Sequence, residues 1–158
     1  MPWINPELND MIQEAKKRIN EAIASIELTA PVLVANSTQM KQEILTEAKL
    51  LHLSKKDIED RVFLSDYAVG KYFKLKHEIW LLEGKGENIN TIIHEYLHSI
   101  QKCDPNRERI VEYITYKITS EKKGLSNGFI EDWMEIENNL GFNQVIARLM
   151  TEGDCEDF

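Results

Sequence analysis

One stretch restricts this chain more than any other: Thr91-Ile92-Ile93-His94-Glu95-Tyr96-Leu97-His98-Ser99-Ile100-Gln101. Ile92, Ile93, Tyr96, Leu97 and Ile100 recur at helical spacing, which predicts a helix with a buried apolar face, capped by Asn90 or Thr91. His94 and His98 stand four apart, so both project from one side of that helix, a turn apart. Any fold that buries this helix must set two imidazoles and a carboxylate beside its core, where unpaired polar groups are costly. One metal ion can satisfy both ring nitrogens, with Glu95 leaning over the open side as a base. The rival reading is two incidental histidines on a packed helix.

At 158 residues and 42% hydrophobic, the chain is long enough for one domain with a core and short for two. Its 27 acids against 19 bases make a net charge of -8, which argues against broad binding to nucleic acid or anionic membrane. No basic region followed by an apolar run opens the sequence, and no stretch approaches spanning length. Cys103 and Cys155 lie far apart without CxxC spacing, so reduced thiols and a cytoplasmic setting are expected.

Before the motif, Asn5-Pro6-Glu7 opens an amphipathic helix expected to end near Thr29-Ala30-Pro31. Pro31 to Ala35 reads as a strand or a buried connection. Ser37 or Thr38 caps a second helix, and Ser54 a third that runs to about Phe63. Lys71 to Leu75 and His77 to Leu82 read as two strands, and Gly84 to Asn88 as the turn into the motif helix. Those glycines lack the spacing of a phosphate loop. The motif helix is expected to end near Cys103. A turn at Asp104-Pro105-Asn106 then leads to a helix over about 107–123, and two short helices follow around 129–139 and 142–151. The expected fold is α+β and mostly helical, a single domain over 1–158. N-terminal helices occupy 1–66, the core 67–123, and C-terminal helices with an acidic tail 124–158.

A catalytic zinc usually takes three protein ligands, so the chain must supply a third. A short turn makes its flanking helices pack antiparallel. His98 lies seven residues before Pro105 and Glu112 seven after, which sets them opposite each other. Glu112 also sits among Ile110, Val111 and Ile114, where a lone carboxylate is costly. It is the leading third ligand. Glu108, one turn nearer the hairpin, is an alternative ligand or a supporting group. Asp104 stands six beyond His98, but the position three beyond His98 is Gln101 rather than the glycine a sharp turn needs there.

Strands, a helix bearing His94-Glu95-x-x-His98 and a second helix bearing Glu112 resemble the core of the gluzincin metallopeptidases. The scale is similar to the minigluzincins and to the repressor-cleaving ImmA/IrrE-type peptidases of mobile elements. The resemblance covers about Lys71 to Lys117. It implies a zincin-like fold with Zn2+ on His94, His98 and Glu112, and Glu95 as catalytic base. Two departures stand out: residues 99–111 make a short spacer, and Tyr116 stands where the thermolysin type has an Asp. The usual orienting partner of a histidine ligand is therefore not identified by the resemblance.

The expected activity is zinc-dependent endopeptidase hydrolysis of a protein or peptide substrate, with water activated by Glu95. Tyr116 is the candidate oxyanion donor, with Tyr113 and His77 behind it. His77 to Leu82 is placed to be the edge strand that binds extended substrate. Cys155, in the acidic tail, is a candidate latency ligand. The rival classes are a non-catalytic, zinc-stabilised interaction module and a metal-free helical regulator of a mobile element. Peptide deformylases share HExxH but need a cysteine before it, which this chain lacks.

Overall fold

The computed structural model describes residues 1–24, 26–102, 108–121 and 127–150. After a 3-10 turn at Pro6–Leu8 come α1 (Asn9–Ala22), β1 (Val32–Ala35), α2 (Ser37–Leu50), α3 (Lys55–Ser65), β2 (Gly70–Phe73) and β3 (Glu78–Leu82). The helices α4 (Ile89–Ile100), α5 (Glu108–Thr119), α6 (Asn127–Leu140) and α7 (Phe142–Met150) complete it. The fold is α+β and mostly helical, as expected.

The three strands form one mixed sheet in the order β1-β3-β2. β1 pairs parallel to β3 through Val32 opposite Ile79, and β2 pairs antiparallel to it through Tyr72 opposite Ile79. Pro31 to Ala35 is thus a strand and not a connection. Its pairing overturns the expectation for His77 to Leu82: β3 is covered on both sides and is the central strand. The free edge next to the motif helix belongs to β2.

Period-two alternation divides the sheet into two faces. Val32, Val34, Ile79, Leu81 and Tyr72 turn toward the main core with Ile19 of α1, Ile92, Ile93, Tyr96 and Leu97 of α4, and Ile110, Val111 and Ile114 of α5. Trp133 of α6 and Val145 and Leu149 of α7 close that core. Leu33, Ala35, Trp80, Leu82 and Phe73 face the other way, under Met40 and Ile44 of α2. The sheet is a layer between α2 on one side and α1, α4 and α5 on the other.

Several helix ends differ from the sequence expectation, each for a local reason. α1 stops at Ala22, because the Asn20 side chain folds back and its Oδ1 accepts the Ile26 N–H at 3.2 Å. Asn36, not Ser37 or Thr38, caps α2, through a reciprocal capping box with Gln39 (2.8 and 2.9 Å). Asn88, not Asn90 or Thr91, caps α4, its Oδ1 accepting the Thr91 N–H at 2.9 Å. Ser54 caps α3 as expected. α4 ends at Ile100 rather than near Cys103: Gln101 is extended, and the Lys102 N–H donates to the Leu149 carbonyl of α7 at 3.0 Å. α5 ends at Thr119, followed by Ser120 in the left-handed region (φ 61°).

Candidate metal centre

α4 and α5 form an antiparallel hairpin tied at both ends. At the far end Asn90 Nδ2 donates to Thr119 Oγ1 at 3.2 Å, and at the near end His98 meets Glu108. Because α4 stops at Ile100, the pairing lies earlier on α5 than a turn centred on Pro105 implies. His98 therefore faces Glu108 rather than Glu112.

Both Nε2 atoms converge on one carboxylate. His94 Nε2 lies 2.5 Å from Glu108 Oε1, and His98 Nε2 lies 2.9 Å from Glu108 Oε2. The two rings meet edge to face with centroids 4.9 Å apart. His94, His98 and Glu108 each bring a ligand atom within 4.8 Å of the others, so the group can hold a metal ion. Four-coordinate zinc at its usual bond lengths spaces its donors by about 3.3 Å, so each imidazole nitrogen needs to part from its Glu108 oxygen by less than an ångström. Two imidazoles and a carboxylate are also the donor types that zinc accepts.

Such a cluster requires positive charge between its members. Burial works against the charged form of His94. The Glu108 hydrogen bond and the charges of Glu95, Glu108 and Glu112 outweigh that and raise its pKa to about 9. Burial likewise works against the Glu108 carboxylate, but the two imidazole hydrogen bonds hold it below the usual carboxylate range. The proton on His94 fills a role here that a cation can fill.

The partner missing from the sequence reading is Gln101. His98 Nδ1 lies 3.1 Å from Gln101 Oε1. Donation from Nδ1–H to that oxygen points Nε2 at the metal position, which is how ligand histidines are commonly oriented. Gln101 reads in the sequence only as the absence of a glycine. The signal for it is its spacing, three residues beyond His98, which brings the two side chains within reach.

Glu95 is only 6% exposed. Its Oε1 accepts the Tyr72 N–H from β2 at 3.1 Å, and it turns toward the same cleft as His98. Gly70, overlooked in the sequence, makes this approach possible. A Cβ there would lie 2.6 Å from Thr91 Cγ2 and 3.3 Å from Glu95 Cγ and Oε2. The cleft, about 640 Å³, straddles the free edge of β2, between His98 and Glu108 on one side and Leu51, Arg61 and Leu64 on the other. A smaller hollow of about 270 Å³ lined by Arg18, Lys117 and Phe142 holds no histidine.

The other candidates sit elsewhere. Glu112 is half-buried one turn further along α5 and lies outside the three-donor group, though its charge reaches His94. Tyr116 is half-buried against the main core, its ring 6.2 Å from that of Tyr113, and does not line the cleft. Tyr113 is buried in the core. His77, in the β2–β3 turn, lies 2.8 Å from both Tyr72 Oη and Thr29 Oγ1. Asp104 and Cys155 fall outside the described residues, as does the tail. Among the described residues no helix is long and apolar enough to cross a membrane. Comparison with protein-family models, curated proteins and solved structures found no match.

Proposed function

We propose that this chain is a zinc-dependent endopeptidase of the gluzincin kind, with His94, His98 and Glu108 as metal ligands and Glu95 as catalytic base. The observation that carries the reading is the convergence of those three donors, two of which (His98 and Glu108) line one cleft with the buried Glu95 carboxylate and a free strand edge. Among the described residues the group has three donors, the number that catalytic zinc sites carry; structural sites carry four.

Bound zinc supplies Lewis acidity, which acidifies water and polarises a carbonyl. The rest is done by the chain. Glu95, held by the Tyr72 N–H through Oε1, takes the water proton and passes it to the departing amide nitrogen. Gln101 keeps His98 turned toward the ligand position. Because the Tyr72 N–H points away from β3, the backbone groups of Gly70, two residues earlier, share that outward direction. They can pair with an extended substrate, which would lie along β2 rather than β3.

The test combines metal content and hydrolysis. The protein should carry about one zinc per chain, lost in His94→Ala, and Glu95→Gln should keep the metal and lose cleavage of an unfolded protein. A metal-bound protein inert toward unfolded substrates would favour the zinc-stabilised interaction module. A metal-free protein indifferent to chelator, with Glu95→Gln of no effect, would sink the proposal.

A further inference from the structure

The cleft that holds Glu95, His98 and Glu108 also contains three cations: Arg61 on α3, Lys71 on β2 and Lys74 just past its end. None of the three makes an ion pair with a described carboxylate, whereas Lys41, Lys76 and Lys117 each do. The third carboxylate in the cleft, Glu47, is 4% exposed and turned aside, its Oε2 accepting the Leu75 N–H at 3.2 Å. The three carboxylates of the cleft are thus each engaged, Glu95 by the Tyr72 N–H, Glu47 by the Leu75 N–H and Glu108 by the two imidazoles, which leaves the three cations as its unpaired charges among the described residues.

Alternation along β2 sets where these charges act. Gly70 and Tyr72 face α4, so Lys71 shares the opposite face with Phe73, toward α2. A peptide paired with the β2 edge also sends alternate side chains to opposite sides. One set approaches His98 and Glu108. The other set meets the side of the cleft that Leu51, Leu53 and Leu64 line together with Arg61 and Lys71. Leucine side chains suit a methylene stem, and the cations suit a carboxylate at its tip.

We propose that Arg61, Lys71 and Lys74 make this cleft select extended peptides that carry glutamate side chains on the face turned toward α2 and α3. This rests on the peptidase reading for its consequence, cleavage, but not for its binding step.

The experiment uses zinc-loaded Glu95→Gln protein and fluorescence anisotropy with three labelled peptides. One is blocked at both ends with glutamate at every second position, one is its glutamine twin, and one is the twin with a free C-terminal carboxylate. The glutamate peptide should bind roughly fivefold to tenfold more tightly than its twin at low salt, with the gap closing in high salt. Adding Arg61→Gln, Lys71→Gln and Lys74→Gln together should bring the glutamate peptide to the twin's level. If the triple variant melts below the parent, the single variants are read the same way, each removing part of the gap. Equal binding of the twins, binding of none, a preference that survives the triple variant, or a gain confined to the free carboxylate each overturns the proposal. Cleavage by the Glu95 protein is read separately. Tight glutamate binding without cleavage sinks the peptidase reading alone, and equal binding with equal cleavage of the twins sinks the selectivity alone.

Discussion

Gly70→Ala is the sharpest test of how β2 positions Glu95. The new Cβ would lie 2.6 Å from Thr91 Cγ2, a stiff β-branched side chain that is 8% exposed. Relief to ordinary contact at 3.4 Å requires α4 and β2 to part by about 0.8 Å. Overpacking of this kind costs about 1–3 kcal/mol. Replacing glycine in a strand returns about 0.5–1 kcal/mol of backbone entropy. The net loss should be about 0.5–2 kcal/mol, or a Tm lower by roughly 2–6 °C for a domain of this size. The same parting stretches the 3.1 Å bond from the Tyr72 N–H to Glu95, so hydrolysis should fall about tenfold with metal content unchanged. Urea unfolding of Gly70→Ala, Thr91→Ser and the double variant measures the contact directly. Thr91→Ser removes the clashing methyl, so the double variant should recover about 1 kcal/mol relative to the sum. Additivity within about 0.5 kcal/mol, or unimpaired hydrolysis in Gly70→Ala, would refute the reasoning.

Four further outcomes follow from the same geometry. Elemental analysis should find zinc lost from Glu108→Ala and retained by Glu112→Ala; the reverse would restore the ligand assignment made from the turn. Gln101→Ala should weaken zinc affinity about tenfold to a hundredfold, read by competition with a chelating dye, because His98 loses its orienting acceptor. Tyr116→Phe should leave kcat within about twofold, since its ring packs on the core and not in the cleft. In metal-free protein the pH dependence has a definite sign. His94 is raised from 6.5 to about 9, so its contribution is full below 6.5 and lost as pH rises through 9; Glu108 is lowered from 4.5, so its contribution is present above 4.5 and lost in acid. The stability gap between parent and Glu108→Gln should therefore be widest between about pH 4.5 and 6.5, narrow above 6.5 and close as pH passes about 9. A flat gap in urea midpoints would contradict the pairing.

Much of the local structure could be read from residue order. The apolar spacing of α4, the Pro6 start, the Ser54 cap and the Gly141 break depend on neighbours within a turn or two, and the structure has all four. Boundaries were displaced where a side chain could cap from one or two residues further out, as Asn36 and Asn88 do. β1 was ambiguous because a short apolar run is compatible with either a strand or a buried connection until its partner is known.

The spacing of His94, Glu95 and His98 determined that one helix face would carry two imidazoles with a carboxylate beside them, because helix geometry is local. Which acid faces those imidazoles was not local. It depended on α4 stopping at Ile100, which follows from Lys102 bonding to Leu149 of α7, some fifty residues away. The resulting shift of the hairpin presents Glu108 to both rings. The strand edge at the site was equally a matter of tertiary structure, since only the parallel pairing of β1 with β3 leaves β2 outermost. Local spacing set the chemistry of the motif; long-range backbone pairing chose its third partner and the edge it works beside.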